Sequence, residues 1–321
     1  MQPFKKPPFS FAFNLEAELE LIRNHHLHRN VPPASDENLL IATWNLTNFG
    51  LQKREDRHLK IMAEIMKPFD IIAVQEVADN LKHFRKLVTY LGKDYDGIYT
   101  DTAGNNERAG YIFNVNRVVP TGLAAELAMR STENREITVD VGGETETEKF
   151  TGFNRTPYMV SFLAGRFECT LVNVHLYWTL VSIRILETKA LTKWAKSRVD
   201  KAYPPNNDII LIGDFNMPRV EEGDEICNIL TKGGLRVPKY NTELVGSNLA
   251  GDKDYDELVF FPSRTNEDFT NRMGVFDFDK ALFPSLWSDS DKDKQKNFFQ
   301  YIRYYISDHR PLWAEFFRKS T

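Results

Sequence analysis

A mixed α/β fold is what this sequence predicts, on three observations. Short β-branched or apolar runs recur along the chain, amphipathic helical segments separate the early ones, and the later runs follow one another closely. Strand–helix alternation favours parallel pairing through crossovers, and strands in succession favour antiparallel pairing, so a chain that does both builds a mixed sheet. The 321 residues are 42% hydrophobic and 27% charged, which suits one large α/β domain or two small ones and excludes disorder of the whole chain.

In chain order, residues 1–37 form an N-terminal arm ahead of a domain spanning 38–321. The arm starts Pro-rich, continues as a helical stretch over 15–29 with Leu15, Leu19 and Ile22 on one face, and closes on the breaker Val31-Pro32-Pro33-Ala34-Ser35-Asp36. His25, His26 and His28 read as exposed polar residues near the helix end, although His25 and His28, three apart on one face, could hold a metal. Strands are expected over 39–44, 71–75, 109–115, 159–163, 170–176, 209–213, 257–261 and 312–316, each of a length suited to burial on at least one face. Helices are expected over 53–66, 81–91 and 182–197, where apolar residues recur at three-and-four spacing. Residues 131–150, acidic around Gly142-Gly143, read as a solvent-exposed hairpin or loop, and 288–297 as a charged loop.

Composition leaves the substrate open. A formal charge of −4 gives no global basic field, so a nucleic-acid partner would have to meet a local basic patch, and no cluster of Lys and Arg stands out. Two cysteines, Cys169 and Cys227, are too few for a disulfide scaffold. No apolar window approaches the roughly 20 residues of a membrane span, and the N-terminus lacks the apolar core of a signal peptide. A cytoplasmic protein is the expectation.

The chemistry is written at strand ends. Asn45, Gln75-Glu76, Asn173-Val174-His175 and Gly213-Asp214-Phe215-Asn216 close predicted strands, and Ser307-Asp308-His309 precedes the last. Burying one such group unpaired costs about 2–7 kcal/mol, so five such ends imply shared partners, of which a metal and a phosphate are the natural choice. Hard cations such as Mg²⁺ take oxygen ligands, and Glu76 with Asn45 and Asp308 supplies such a set; no His-Glu-x-x-His segment or cysteine pair supports zinc. Asp214 and Asn216, two apart, can converge on one point. Alone, Asn45 or Asn216 would read as a turn residue and Glu76 as an ordinary strand-end charge.

Together, Ile41-Ala42-Thr43-Trp44-Asn45, Ile72-Ala73-Val74-Gln75-Glu76, Asn173-Val174-His175, Ile212-Gly213-Asp214-Phe215-Asn216 and Ser307-Asp308-His309-Arg310-Pro311 resemble, in order, the signature set of the endonuclease/exonuclease/phosphatase superfamily, which includes deoxyribonucleases, abasic-site endonucleases, sphingomyelinases and inositol polyphosphate phosphatases. The resemblance implies a four-layer sandwich of two mixed β-sheets flanked by helices, with the site at one edge. It implies Mg²⁺, or Mn²⁺, held by Glu76 and Asn45. It implies His309 oriented by Asp256 and acting on the phosphate or the water, His175 and Asn216 bonding the phosphoryl group, Asp214 orienting or deprotonating the water, and Arg155 contacting phosphate. Glu107 resembles a partner of His175, whereas Arg108 reads as structural. Asn105 stands where deoxyribonuclease-like members carry a tyrosine, and His175 stands where abasic-site enzymes usually lack histidine. Whether Asp214 or His309 is the base stays open. The leading expectation is a DNA or RNA nuclease; the alternatives are a phosphatase or phosphodiesterase on lipids or small phosphoesters, and an inactive binding protein of the same fold.

Overall fold

In the computed structural model, which describes residues 2–129, 136–141, 144–200, 208–221, 223–240 and 246–318, strand and helix first alternate. After helix α1 (Leu15–His28) come β1 (Asn38–Phe49), α2 (Asp56–Met66), β2 (Ile71–Ala78) and α3 (Lys82–Leu91). Strands β3 (Tyr95–Tyr99), β4 (Glu107–Asn114), β5 (Val119–Glu126), β6 (Glu136–Val141), β7 (Glu144–Lys149), β8 (Tyr158–Ala164) and β9 (Phe167–His175) then follow in succession. The remainder is α4 (Val181–Val199), β10 (Ile209–Asp214), α5 (Glu225–Lys232), β11 (Asp256–Phe260), α6 (Pro262–Thr265), β12 (Phe269–Val275), α7 (Lys292–Tyr305) and β13 (Leu312–Phe317).

Two mixed sheets result, ordered β12-β13-β1-β2-β4-β3 and β11-β10-β9-β8-β5. Each contains a parallel pair, β1 with β2 and β9 with β10, flanked by antiparallel neighbours. Strand β1 is buried along its whole length, which explains why it reads as a continuous apolar run. Its alternate residues face opposite ways: Leu39 and Ile41 pack between the sheets against Phe162, Ile210 and Leu258. Leu40, Ala42 and Trp44 join Leu59, Met62, Leu87 and Ile302 of the outer helical layer. Behind the second sheet, Val172, Leu211 and Val259 pack with Leu191, Trp194 and Leu230 of α4 and α5. The layers therefore run helix, sheet, sheet, helix, as expected.

Several expectations need correction. Residues 292–297, read as part of a charged loop, form the first turns of α7. Asp291 caps that helix by accepting from the amides of Asp293 and Lys294, and its charged opening turns precede an apolar face of Phe298, Tyr301, Ile302 and Tyr305. The three arm histidines are not all exposed. His25 Nε2 lies 2.8 Å from Asp277 Oδ1, and the His26 ring stacks on Phe276 at 4.1 Å, where burial lowers its pKa to about 4. Only His28 of the three stays exposed, because that side of α1 packs inward. The arm itself lies on the outer layer, with Phe11 against Tyr301 at 5.3 Å and Phe13 against Phe283 at 4.9 Å. Strands β3, β5 and β12 were not anticipated; β5 is an exposed edge strand containing Pro120 and Gly122, and β12 pairs with β13 through a register shift. Within the acidic segment, strands β6 and β7 pair antiparallel, while residues 131–135 and Gly142-Gly143 lie outside the described residues.

Candidate active site

Both parallel pairs end at one edge of the sandwich, and their register brings the polar strand ends level: Asn45 opposite Gln75, and Asp214 opposite both His175 and Asp256. Gly213 permits this. Its φ is +141°, and a Cβ there would lie 2.1 Å from the Val174 carbonyl oxygen, so only glycine lets β10 approach β9 just before Asp214. Beneath the site the sheets are tied by a buried amide bridge: Gln75 Nε2 donates to Asn173 Oδ1 at 2.7 Å, and Asn173 Nδ2 donates to the Val74 and Gly110 carbonyls.

Two acid–histidine pairs face each other across this edge. His309 Nδ1 lies 2.7 Å from Asp256 Oδ2, and His175 Nδ1 lies 2.5 Å from Glu107 Oε1. Both Nε2 atoms then point toward Asp214 Oδ2, at 3.9 Å from His309 and 3.6 Å from His175. Burial by itself would depress the pKa of each ring. The carboxylates of Asp256 and Asp214 outweigh that for His309, and Glu107 with Asp214 for His175, so both rings are raised above the usual histidine value. Glu107 is lowered despite burial, by His175 and by Arg155, whose Nε is 2.7 Å from the same carboxylate. Arg155, expected to contact phosphate, thus engages Glu107 and is itself buried.

Asn45 stands at the junction. Its Nδ2 donates to Glu76 Oε1 at 3.2 Å and to Asp214 Oδ2 at 3.0 Å, while its Oδ1 accepts from the Thr47 amide. In this orientation it bridges the two carboxylates as a donor, and offering its oxygen to a cation would require the amide to turn over. Glu76 adopts φ 58° and Thr47 and Asn48 φ 48°, a left-handed conformation unusual for such residues and of the kind held in place at functional sites. It turns the Glu76 carboxylate back onto the Asn48 amide at 2.7 Å. Burial raises the Glu76 pKa, and the charges of Glu107 and Asp308 raise it further while His175 opposes them. The carboxylates of Glu76 and Asp308, with Arg54 and His175 as the nearby positive groups, are oxygen donors of the kind a hard divalent cation takes. Among the described residues, the acidic and histidine side chains whose ligand atoms all lie within 4.8 Å of one another are Asp214, Asp256 and His309.

Asp308 and His309 are held by Ser307 of their own motif and by Thr47, which the sequence did not single out. Thr47 Oγ1 bonds both Asp308 Oδ1 and Ser307 Oγ, and Ser307 Oγ contacts the Asn45 carbonyl at 2.7 Å. Behind them Gln52 donates to the carbonyls of Thr47, Arg303 and Tyr304, and Arg54 to those of Leu46, Thr47, Tyr305 and Ile306, stapling the end of β1 to the end of α7. On the other side Glu187 accepts from the amides of Asn154 and Tyr177, both at 2.7 Å, fixing the loop before Arg155 and the turn after His175. Asn216 N–H donates to Asp214 Oδ1 at 2.9 Å, and its side-chain amide donates to the Leu176 carbonyl. Arg108, read as structural, pairs with Asp79 and Asp101 and donates to the Thr100 carbonyl.

No family model matches the chain. Over 198 residues it is 27% identical to a deoxyribonuclease from Thioalkalivibrio sp. (strain K90mix), a match covering 60% of this chain and 50% of that protein. The chain therefore spans about half the length of the curated relative it matches. Among solved structures it is similar to an endonuclease/exonuclease/phosphatase family protein from Bacteroides thetaiotaomicron, with TM-score 0.55 and 17% identity over 87% of this chain and 95% of that one. A mannosyl-6-phosphatase from the same organism gives TM-score 0.54 and 16% identity over 87% and 99%. At these identities the likeness establishes the fold: two mixed sheets between helical layers, shared with endonuclease/exonuclease/phosphatase proteins.

Proposed function

We propose that this chain is an enzyme of the endonuclease/exonuclease/phosphatase superfamily, a divalent-metal-dependent phosphoesterase that hydrolyses phosphodiester bonds of DNA or RNA. The observation that carries the reading is the convergence of two carboxylate-backed histidines, His175 and His309, on one oxygen of Asp214. A phosphoryl group beside that oxygen would meet two imidazoles whose pKa values their carboxylates raise, and which would donate to its oxygens as charge gathers there. Asp256 and Glu107 fix which ring nitrogen points inward. Asp214, braced by Asn45 and the Asn216 amide, would orient a water and take its proton. Glu76, with Asn45 and Asp308 beside it, would hold Mg²⁺ or Mn²⁺, which when bound withdraws negative charge from a phosphoryl oxygen.

The deoxyribonuclease relative supports a nucleic-acid substrate. The net charge of −4 favours a small phosphoester as the second reading, because tight binding of a polyanion draws on many basic contacts. Purified protein assayed with Mg²⁺, Mn²⁺ or EDTA on plasmid DNA, RNA, sphingomyelin, phosphoinositides and sugar phosphates separates these. Metal-stimulated cleavage of DNA or RNA is expected. Turnover insensitive to EDTA would overturn the metal role, and faster turnover of a lipid or sugar phosphate would move the substrate class.

A further inference from the structure

A cavity of about 350 Å³ opens beside His309 and Asp308. That size is within the range of small-molecule sites. Its wall is largely apolar: Leu249, Tyr255 and Phe299 line it, with Arg303 as the cationic member. Tyr255 directly precedes Asp256, and its ring lies 5.9 Å from the His309 ring at 38°. Phe299 and Arg303 come from one face of α7, one helical turn apart.

The arginine is braced from an unexpected direction. Phe4 of the N-terminal arm lies under the Arg303 guanidinium at 4.7 Å, and the Phe4 amide donates to Gln52 Oε1 at 2.9 Å. Gln52 in turn bonds the Arg303 carbonyl. Arg303 Nε is buried without a hydrogen-bond partner among the described residues. Arg310, which pairs with Asp279 through both oxygens, donates to the Gly246 and Leu249 carbonyls, so the loop that contributes Leu249 is fixed.

We infer that this cavity is a subsite for a planar ring joined to the scissile phosphate. The inference rests on the phosphoesterase reading for the position of the phosphate. With that group at His309, a substituent on this side enters the cavity between two aromatic side chains and an arginine. Flat rings are what such a wall selects: they stack on Tyr255 or Phe299 and meet the guanidinium with a π-face. An aliphatic alcohol of the same charge gains none of these contacts. The ring can be a nucleobase carried on its sugar or a simple aryl group attached directly to the phosphate, and the two are separable by experiment.

The test is calorimetric titration of the full chain in Mg²⁺ with methyl phosphate, phenyl phosphate and thymidine 5′-monophosphate, repeated with Phe299→Leu and Phe299→Tyr. Leucine keeps an apolar side chain against Trp287 and Phe298 without the ring, and thermal melts confirm that each variant folds. The expected result is a ring-bearing phosphate bound at least about fivefold more tightly than methyl phosphate, from the usual gain of base–aromatic stacking. That ratio falls toward one in Phe299→Leu and is kept in Phe299→Tyr. Preference for the nucleotide over phenyl phosphate identifies a nucleoside, and the reverse identifies an aryl ester. Equal binding of all three ligands, or a ratio unchanged in Phe299→Leu, overturns the subsite alone. No binding of any ligand overturns the phosphate site and the subsite with it.

Discussion

Replacing Asp256 with asparagine removes one charge from the site and almost nothing else. The side chain keeps its volume, and the backbone amide keeps its bond to Ser247 Oγ at 3.0 Å. What is lost is the charge-assisted bond to His309 Nδ1 at 2.7 Å. Such a bond contributes about 1.5–3 kcal/mol, and each 1.36 kcal/mol is tenfold in rate, so turnover should fall about 10- to 150-fold. The ring should also become easier to deprotonate, because of its two nearest carboxylates only Asp214, 3.9 Å away, remains. The alkaline limb of the pH–rate profile should therefore move to lower pH in Asp256→Asn. Stability should not suffer in parallel: burial already disfavours the ionised form of Asp256, and its Oδ1 has no hydrogen-bond partner among the described residues. Steady-state kinetics on a chromogenic phosphodiester from about pH 5 to 9, with a thermal melt of each protein, reads all three quantities. Turnover within about threefold of wild type and an unshifted alkaline limb would refute the orienting role.

Other perturbations test the frame around the site. Gly213→Ala would force the new methyl group onto the Val174 carbonyl and should destabilise the fold by about 3 kcal/mol or more in denaturant unfolding; a neutral substitution would show that β9 and β10 are not so closely apposed. Arg310→Ala strands the buried Asp279 carboxylate and should cost about 3–5 kcal/mol, whereas a loss below about 1 kcal/mol would mean the pair is solvated. His58 bonds Tyr301 at 2.8 Å, and burial lowers its pKa from 6.5 to about 3. The unfolded chain thus takes up a proton that the folded chain refuses. Its contribution to stability is complete above about pH 6.5 and is lost as pH falls toward 3, by about 1.4 kcal/mol per unit. His58→Gln should flatten that slope, and an identical slope in the variant would assign the acid sensitivity elsewhere.

The parts of this molecule that were legible in its sequence share a physical signature. A polar residue at the end of an apolar run conflicts with burial, and Asn45, Glu76, His175 and Asp214, closing their strands, and His309, just ahead of the last, each show that conflict locally. The fold class followed from periodicity, since β1 and β10 are buried on both faces and read as continuous apolar runs. Illegible were groups whose partners are distant backbone atoms. Gln52 and Arg54 look like ordinary polar and charged residues at the start of the expected helix, and only folding brings the carbonyls of residues 303–306 to them. Glu187 is hidden in the same way, as one polar position on a helix whose partners are the amides of Asn154 and Tyr177. Strand β5 escaped notice because an exposed edge carries little apolar pattern, and α7 because its charged opening turns mask the aromatic face that follows.

The central claim is that Asp214 and His309 carry out metal-assisted phosphoester hydrolysis at the shared strand edge. Single-turnover hydrolysis of a phosphodiester in Mg²⁺ by wild type, Asp214→Ala and His309→Ala, each shown to be folded by circular dichroism, tests it most directly. A fall of at least about a hundredfold in both variants is the predicted result. Near-wild-type turnover in either would contradict it.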